Sequence, residues 1–263
     1  VTRLERFGGI YELTVRLPLL ASRANPGQFA QIRCGSGVEP LLRRPFSVAW
    51  SGGDECAFVF EVVGSGTRLL SALHPGDQLD VLGPLGTSFS IDAECARAVM
   101  VSGGVGCAPF PFLVARLADR VANITVLSGA ATASRLYPAE RFARNADVRV
   151  LQATDDGSAG RAGFVTELLD DAVDAGTTVY ACGPNRMLAA VWERVRSGAP
   201  RIAEASLEAP MGCGYGTCLG CALPLRSTND EMRWALCCSD GPVMPMRDVA
   251  WEVVHEMPTA DVA

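Results

Sequence analysis

Five of the ten cysteines of this chain lie in one glycine-rich segment near its C-terminal end. Cys213, Cys218 and Cys221 follow the spacing C-x4-C-x2-C, and a doubled cysteine follows at Cys237 and Cys238. This spacing is typical of plant-type [2Fe–2S] sites, in which one loop supplies three thiolates and the fourth arrives from elsewhere. The intervening glycines allow close backbone approach and positive φ, so that N–H groups can point at the cluster sulfurs. The segment therefore predicts an iron–sulfur centre.

Two other uses of these thiols have to be weighed. Structural zinc sites usually present two separate C-x2-C pairs, and this segment has only one. Disulfides belong to oxidising compartments, but the first residues, VTRLERFGGIYELTV, carry charges where a signal peptide needs an apolar core. We therefore favour [2Fe–2S] over zinc, and we expect a cytoplasmic protein. Spacing alone leaves open whether Cys237 or Cys238 is the fourth ligand.

A glycine-rich turn further upstream is a candidate nucleotide site. Gly103, Gly104 and Gly106 lie between a predicted strand and a predicted helix. Such a turn lets a dinucleotide pyrophosphate approach the free N–H groups of the helix N-terminus. The pattern is not a full G-x-G-x-x-G, because Pro109 stands where the last glycine would be. A plain tight turn explains it as well.

Two more loops follow later strands of the same predicted sheet. Asp155 and Asp156 can hydrogen bond to ribose hydroxyls and would repel a 2′-phosphate, which favours NAD over NADP. An Asp-Gly turn is an equal explanation for them. Cys182, Gly183 and Pro184 end another strand. Three such loops on one edge of a sheet together favour a dinucleotide site.

The N-terminal third has its own candidate binding residues. Arg44 can pair with a phosphate, while Phe46 and Ser47 can present an aromatic surface and a hydroxyl to a planar ligand. Gly66 and Thr67 open a short helix, which makes a second anion site. An alternating strand followed by a capped helix accounts for the same residues without a ligand.

Short alternating apolar runs, separated by Gly and Pro turns, fill the first ninety or so residues. Many short strands at close spacing predict an antiparallel barrel or sandwich. The predicted strands are YELTVRL, FAQIRC, RPFSVAW, CAFVFEVV and QLDVLG, and one short helix is predicted to begin at Thr67.

From about Cys95 strands and helices alternate, which predicts parallel βαβ units with ligands at the carboxyl ends of the strands. The predicted strands are AVMVSG, ITVLSGA, VRVLQAT and TVYACG, and the predicted helices are FPFLVARLADR, YPAERFARN, FVTELLDDAV and NRMLAAVWERV. The uncharged stretch 98–115 fits a strand, a turn and the start of a helix better than a membrane span, because glycines and prolines interrupt it.

Charge and histidine content narrow the function classes. The net charge is -6 and the 23 basic residues are scattered, which argues against nucleic acid as the main partner. His74 and His255 fall outside the loops that can face a cofactor, so we expect no acid–base catalyst among them. The final chemistry is then expected on another polypeptide.

The predicted dinucleotide and cluster sites together imply a third cofactor. A nicotinamide delivers a hydride, which carries two electrons, whereas a [2Fe–2S] centre accepts one. Flavin supplies the conversion between them, so we expect a flavin in the N-terminal barrel. The predicted fold class is β plus α/β, with an antiparallel β-barrel FAD domain at 1–93, a parallel-sheet α/β NAD domain at 94–205 and a [2Fe–2S] module at 206–263.

The motifs RPFS, GSGT, GGVG, ATDDGSAG, YACGP and CGYGTCLGC…CSDGPVM occur in the order seen in ferredoxin–NADP reductase-like flavoproteins. Over essentially its whole length the chain resembles the electron-transfer subunits of class B dihydroorotate dehydrogenases. The resemblance implies that Cys238, two residues before D-G-P, is the fourth cluster ligand. It also implies an FAD-binding signature and contacts to the ribityl and pyrophosphate groups, at Arg44, Pro45, Phe46 and Ser47 and at Val62, Val63, Gly66 and Thr67, respectively.

Three hypotheses follow. The first is an NADH-linked FAD and [2Fe–2S] electron-transfer subunit of pyrimidine biosynthesis, partnered with an FMN-containing dihydroorotate dehydrogenase chain. The second keeps the cofactors but changes the acceptor, as in a sulfide or ferredoxin oxidoreductase or an oxygenase reductase; Met244, where the resembling family usually has Phe, motivates it. The third is a zinc-stabilised scaffold or redox-sensing module that is not an enzyme.

Overall fold

A computed structural model describes residues 1–35, 37–92, 94–143, 148–169, 173–227 and 229–257. Its first sheet is antiparallel and has the strand order β1-β2-β5-β4-β3-β6. The strands are β1 Arg3–Phe7, β2 Ile10–Arg16, β3 Phe29–Ile32, β4 Arg44–Gly52, β5 Glu55–Glu61 and β6 Val81–Leu85, with helices α1 Pro18–Ala21 and α2 Ser65–Leu70. The antiparallel arrangement predicted for this region is confirmed, and closure into a barrel stays a prediction.

Alternating side chains of this sheet build its core. Leu13 and Val15 of β2 pack with Phe58 and Phe60 of β5, as the period-two pattern of the sequence predicts. The helix predicted to begin at Thr67 begins two residues earlier. The Thr67 hydroxyl oxygen accepts the backbone N–H groups of Val63 (2.9 Å) and Gly64 (3.1 Å), so this residue caps the first turn from inside the helix.

The second sheet has the order β10-β9-β8-β7-β11-β12-β15, and it is parallel except for β15. Its strands are β7 Arg97–Gly103, β8 Ile124–Ala130, β9 Arg149–Thr154, β10 Arg161–Ala162, β11 Thr177–Cys182, β12 Ile202–Ser206 and β15 Val243–Pro245. The helices are α3 Phe110–Leu117, α4 Ala139–Phe142 and α5 Asn185–Val195. The predicted βαβ units are confirmed, and β7, a turn and α3 account for the uncharged stretch 98–115.

One predicted helix of this region is wrong. FVTELLDDAV forms only a 3-10 turn at Val165–Leu168, and residues 170–172 lie outside the described part of the chain. The turn rests directly on β8, because a Cβ added at Gly129 would lie 2.5 Å from the Val165 Cβ. Among the described residues no helix is long and apolar enough to cross a membrane.

The C-terminal segment adds a hairpin and a short helix, β13 Ala222–Arg226, β14 Met232–Leu236 and α6 Trp251–Val254. Its strand β15 pairs antiparallel with β12, which extends the second sheet. Leu223, Met244 and Trp251 share one hydrophobic core with Val101 of β7 and Leu188 of α5. The predicted domain bounds stay a prediction, but the last two regions are joined by both a sheet and a core.

The sheets are held together by buried polar contacts as well as apolar ones. Tyr137, before α4, donates a hydrogen bond to the fully buried Glu12 of β2. At the opposite end of β7, Asp92 accepts hydrogen bonds from the Thr178 hydroxyl (2.7 Å) and from Arg201 (3.0 Å). Such multiply bonded carboxylates fix the orientation of one sheet against the other.

Candidate functional site

The second sheet reverses its direction of growth between β7 and β11. From β7 the chain adds β8 and β9 on one side, and then β11 and β12 on the other. Ligands of open parallel sheets bind at the carboxyl end of such a switch point. The two loops that begin there are those predicted from the sequence, at Gly103–Gly106 and at Cys182–Pro184.

The two switch-point loops touch through glycine backbone. A Cβ added at Gly106 would lie 2.6 Å from the Gly183 Cα, and one added at Gly183 would lie 3.0 Å from the Gly103 nitrogen. Pro184 packs on the same point, 3.2 Å from a Cβ at Gly103. Gly104 has a φ of 55° and begins a 3-10 turn, so α3 starts only at Phe110. The glycines thus permit a loop–loop contact that any side chain would block.

A cleft runs from the first sheet to this switch point. It is lined by β4 and the loop before α2, by the switch-point loops, and by the segment that leads into the cysteine-rich loop. Of the residues predicted to bind cofactors, the cleft brings together Arg44, Pro45, Phe46, Ser47, Val63, Gly66, Thr67, Gly106 and Cys182.

Within the cleft, Arg44 stands beside the start of α2. A Cβ added at Gly66 would lie 3.4 Å from the Arg44 Cγ, so a side chain there would push into the arginine. The Arg44 guanidinium donates to the Leu42 carbonyl at 2.9 Å, which leaves further N–H groups for a ligand. Phe46 is 9% exposed and packs edge-on against Phe60, so it forms a wall of the cleft and core at once.

Several predicted residues lie outside the cleft lining. Val62 is on the surface, and Gly103, Gly104, Gly183 and Pro184 act through the loop contact described above. Their roles in binding stay predictions.

Asp155 and Asp156 are exposed at the end of β9, with β8 between them and β7. The Ser158 hydroxyl and backbone N–H donate to the Asp156 carboxylate at 2.6 and 2.9 Å, and both hydrogen bonds lower the pKa of Asp156. The segment is therefore an Asp-Gly turn closed by the Gly157 N–H on the Thr154 carbonyl. Whether it also holds ribose stays a prediction.

The cysteine-rich loop directs backbone N–H groups at sulfur. Gly216 donates its N–H to the Cys238 Sγ at 3.2 Å, and Cys218 donates to the Cys213 Sγ at 3.5 Å. Hydrogen bonds from the backbone N–H groups of Tyr215 and Cys218 lower the pKa of Cys213 to about 6. Both Gly214 and Gly216 have a φ of 86°, the left-handed region that glycine tolerates.

The two adjacent cysteines, Cys237 and Cys238, have different hydrogen-bond partners. Cys238 accepts the Gly216 N–H and lies in hydrogen-bond reach of the Cys221 thiol. Cys237 instead donates to the Leu207 carbonyl at 3.3 Å. Both thiols lie in the same hydrophobic core, where burial raises the pKa of each. The geometry favours Cys238 as the ligand, in line with the resemblance.

Four thiols, two of which accept backbone N–H groups at sulfur, fit an iron–sulfur cluster. Cys213 interacts with Cys218 within the loop, and Cys221 of the loop interacts with Cys238 of the later segment. In the described ranges, no three His, Cys, Asp or Glu side chains are arranged to hold a single metal ion. The donor set fits a cluster, since cluster sulfurs accept backbone N–H groups; the ligand assignment itself stays a prediction.

The cleft and the cysteine-rich loop are neighbours. Met211 and Pro242, which line the cleft, precede Cys213 by two residues and follow Cys238 by four, respectively. Thr87, at the end of the first sheet, fixes this junction: its N–H donates to the Gly241 carbonyl at 2.7 Å and its hydroxyl to the Val243 carbonyl at 2.9 Å.

Sequence reasoning missed three residues of this junction. Met211 lies in the segment before the cysteines and had no distinguishing pattern. Thr87 lies in a predicted turn. Gln31 had a signal, because it is the only polar side chain within the run Phe29–Ile32, which is buried throughout. His74 and His255 are not among the residues that line the cleft.

Two family models match segments of this chain. The model for the iron–sulfur cluster binding domain of dihydroorotate dehydrogenase B matches residues 208–250, and the oxidoreductase NAD-binding domain matches residues 100–193. The solved structure of an NADH-dependent reduced ferredoxin–NADP oxidoreductase, described for flavin-based electron bifurcation, superposes with a TM-score of 0.81 at 28% identity, over 97% of this chain and 90% of that one.

Curated relatives match over nearly the whole chain. The dihydroorotate dehydrogenase B (NAD(+)) electron transfer subunit of Geobacillus thermodenitrificans is 40% identical, over 91% of this chain and 92% of the relative. The subunit of the same name from Desulforamulus reducens is 37% identical, over 92% and 93%. The chain belongs to the family of dihydroorotate dehydrogenase B electron transfer subunits, which share the ferredoxin–NADP reductase-like fold.

Proposed function

We propose that this chain transfers electrons between NAD(H) and the FMN of a dihydroorotate dehydrogenase catalytic subunit, through bound FAD and a [2Fe–2S] cluster. The observation that carries the proposal is the shared cleft, which is lined by residues of β4, of the switch point and of the segment that leads into the cysteine-rich loop. Three cofactors that must exchange electrons need such proximity. Bound flavin supplies the exchange between two-electron hydride chemistry and single-electron transfer.

The first sheet would hold the flavin nucleotide, in a barrel that we propose is closed. Arg44 presents a fixed guanidinium beside the N-terminus of α2, which suits a pyrophosphate. Pro45, Phe46 and Ser47 form the wall against which a planar ring can pack. Val63 and Thr67 close the other side of the cleft, and Val62 lies next to them at its rim.

The switch point would orient the nicotinamide nucleotide. Gly103, Gly104 and Gly106 are the proposed backbone contacts at the carboxyl end of β7, where nothing lies within 4 Å of a Cβ added at Gly104. Cys182, which lines the cleft, and the following Gly183 face them from β11. Asp155 and Asp156 are proposed contacts for ribose and a barrier to a 2′-phosphate, which favours NAD over NADP.

Cys213, Cys218, Cys221 and Cys238 are the proposed cluster ligands, and they would also form the exit toward the partner. Cys218 is exposed, and its loop neighbours Tyr215 and Leu219 expose 57% and 65% of their surface. Exposed apolar side chains around a redox centre suit a partner that must approach closely. We place the protein in the cytoplasm, where its free thiols remain reduced.

The test is coupling to a catalytic chain. We would mix this chain with an FMN-containing dihydroorotate dehydrogenase subunit under anaerobic conditions. The mixture should oxidise dihydroorotate to orotate and reduce NAD. The matched control is this chain carrying Cys238→Ala, which keeps the flavin but should not couple. NAD reduction that is equally fast without the chain, or with the variant, would overturn the proposal.

A second acceptor has one observation in its favour. The NADH-dependent reduced ferredoxin–NADP oxidoreductase covers 97% of this chain at 28% identity, so the same architecture serves a protein named for ferredoxin. If ferredoxin is the acceptor here, the lone chain should reduce it with NADH at a rate that a dihydroorotate dehydrogenase chain does not compete with. Competition between the two acceptors would favour the first function.

A further inference from the structure

One buried amide is left without partners at the junction of the first sheet and the cluster loop. Gln31 of β3 is 0% exposed, and neither its Oε1 nor its Nε2 has a hydrogen-bond partner among the described residues. Gln28, just before the same strand, shows the usual state: its amide donates to the Gly86 carbonyl at 2.9 Å and accepts the Asn25 N–H at 2.9 Å. The Gln28 amide is therefore hydrogen bonded within the described chain, and the Gln31 amide is not.

The Gln31 amide lies against the loop that carries three of the proposed ligands. A Cβ added at Gly214 would be 2.5 Å from the Gln31 Nε2 and 2.6 Å from its Cγ, so the side chain fills the space that glycine leaves. Gly214 directly follows Cys213. On the other side, Pro45, which lines the cleft, is the cross-strand partner of Gln31. Gln31 therefore connects a strand that lines the cleft with the cysteine-rich loop.

A buried amide without partners is costly, because it has lost its bonds to water and gained none. Such groups are retained where a bound group satisfies them. Here the amide contacts Gly214, in a loop whose backbone N–H groups already point at thiols: Gly216 donates to Cys238 and Cys218 donates to Cys213. N–H donors directed at cluster sulfurs favour the reduced cluster, which carries more negative charge.

We propose that Gln31 is a positioning residue for the cluster, whose amide N–H donates a hydrogen bond to a sulfur atom of the bound [2Fe–2S] centre and raises its reduction potential. The proposal rests on the proposed function, since it needs the cluster to bind. It assigns a side-chain donor from the first sheet to a site where two backbone N–H groups already point at sulfur.

The test is an anaerobic redox titration of the full chain loaded with FAD and cluster, followed by EPR for the cluster and by visible absorption for the flavin. Gln31→Leu removes the donor, and Gln31→Glu replaces it with an acceptor of the same shape. Both should lower the cluster midpoint potential, Gln31→Glu more, and leave the flavin potential unchanged. Gln28→Leu, the matched control, should leave both potentials at the wild-type values.

An unchanged cluster potential in a loaded Gln31→Leu chain would overturn the proposal, and so would a shift confined to the flavin. If neither Gln31 variant retains its cluster, the wild-type chain decides. With glutamine labelled by 15N in its side chain, the reduced cluster should show a 15N hyperfine coupling that persists in Gln28→Leu; its absence overturns the proposal. The two failures are distinguishable: iron or flavin missing from the wild-type chain would contradict the proposed function, whereas an unchanged potential in the loaded Gln31→Leu chain would contradict only the role of Gln31.

Discussion

The cysteine-rich loop and the switch point both depend on glycine, but for different physical reasons. In the loop, Gly214 and Gly216 take a φ of 86° so that the backbone can curl and direct an N–H at the Cys238 sulfur. At the switch point, Gly106 and Gly183 are needed because two loops from distant strands touch backbone to backbone. The first need is conformational and local, and the second is steric and non-local.

This difference decides how each region should respond to change. A cluster site loses its cluster when one of its four proposed cysteine ligands is removed, while the surrounding sheets remain intact. A site made by the approach of two loops loses both binding and packing when a methyl group is inserted between them. Substitutions at the cluster site should therefore change cofactor content with little change in stability, and substitutions at the switch point should lower both binding and stability.

The largest effect is expected from the proposed fourth ligand. Cys238→Ala should abolish the cluster, because the Cys238 thiol is in hydrogen-bond reach of Cys221, whereas the Cys237 thiol donates to the Leu207 carbonyl. Iron analysis and the EPR signal of the reduced protein measure this, and bound flavin should remain. The control is Cys237→Ala, whose thiol bonds to the Leu207 carbonyl in the core. It should keep its iron and lose about 1 kcal/mol of stability; iron loss in this variant alone would reverse the ligand assignment.

At the switch point, Gly106→Ala should weaken NADH binding and destabilise the fold together. The added methyl group collides with backbone of the Cys182–Gly183 loop, and overpacking of this kind costs about 1–3 kcal/mol. The KM for NADH and the thermal midpoint report the two effects. Gly104→Ala is the comparison, since nothing lies within 4 Å of its Cβ and only its φ of 55° is strained. Equal effects at the two positions would contradict the steric account.

Arg43 and Arg44 are neighbours in the sequence, and of these two Arg44 lines the cleft. Arg44→Lys should reduce FAD affinity roughly tenfold, or about 1.4 kcal/mol, because lysine lacks the forked donors that suit a pyrophosphate. Arg43→Lys should leave affinity unchanged, since Arg43 pairs with Asp80 at 2.6 Å outside the cleft. FAD retention during dilution, followed by fluorescence, measures both. An equal loss in the two variants would remove Arg44 from the site.

The smallest effect on function is expected at Asp92, near the amino ends of the strands of the second sheet and away from the cleft. Burial alone would raise the pKa of Asp92, but hydrogen bonds from Thr178 and the Glu94 N–H, together with Arg201, outweigh it and lower the pKa. The ionised carboxylate therefore stabilises the fold above the ordinary aspartate pKa of about 3.9, and this contribution is lost as the pH falls through the lowered value.

Asp92→Asn should cost about 1–3 kcal/mol at neutral pH and should flatten the loss of stability below pH 4 or so. Chemical denaturation at several pH values measures this. NADH oxidation by the folded variant should match the wild type, because Asp92 lies at the end of the sheet away from the cleft. A changed KM for NADH would show that the two edges are coupled.

The sequence predicted the local part of this molecule better than the non-local part. The cysteine spacing, the glycine turns and the strands β8 and β11 follow from patterns within a few residues. The helix predicted over FVTELLDDAV is wrong, because close packing of Val165 on β8 outweighs helix propensity. The pairing of β15 with β12, and the contact of Gln31 with Gly214, join segments far apart in the chain, and no local pattern encodes either.

The most direct test of the whole account is an anaerobic NADH titration of the purified chain, reconstituted with iron, sulfide and FAD. The account predicts flavin and iron–sulfur absorption bands that both bleach on addition of NADH, with an EPR signal from a reduced [2Fe–2S] centre. A chain that takes up neither iron nor flavin, or whose flavin is reduced while the iron centre never receives an electron, would contradict it.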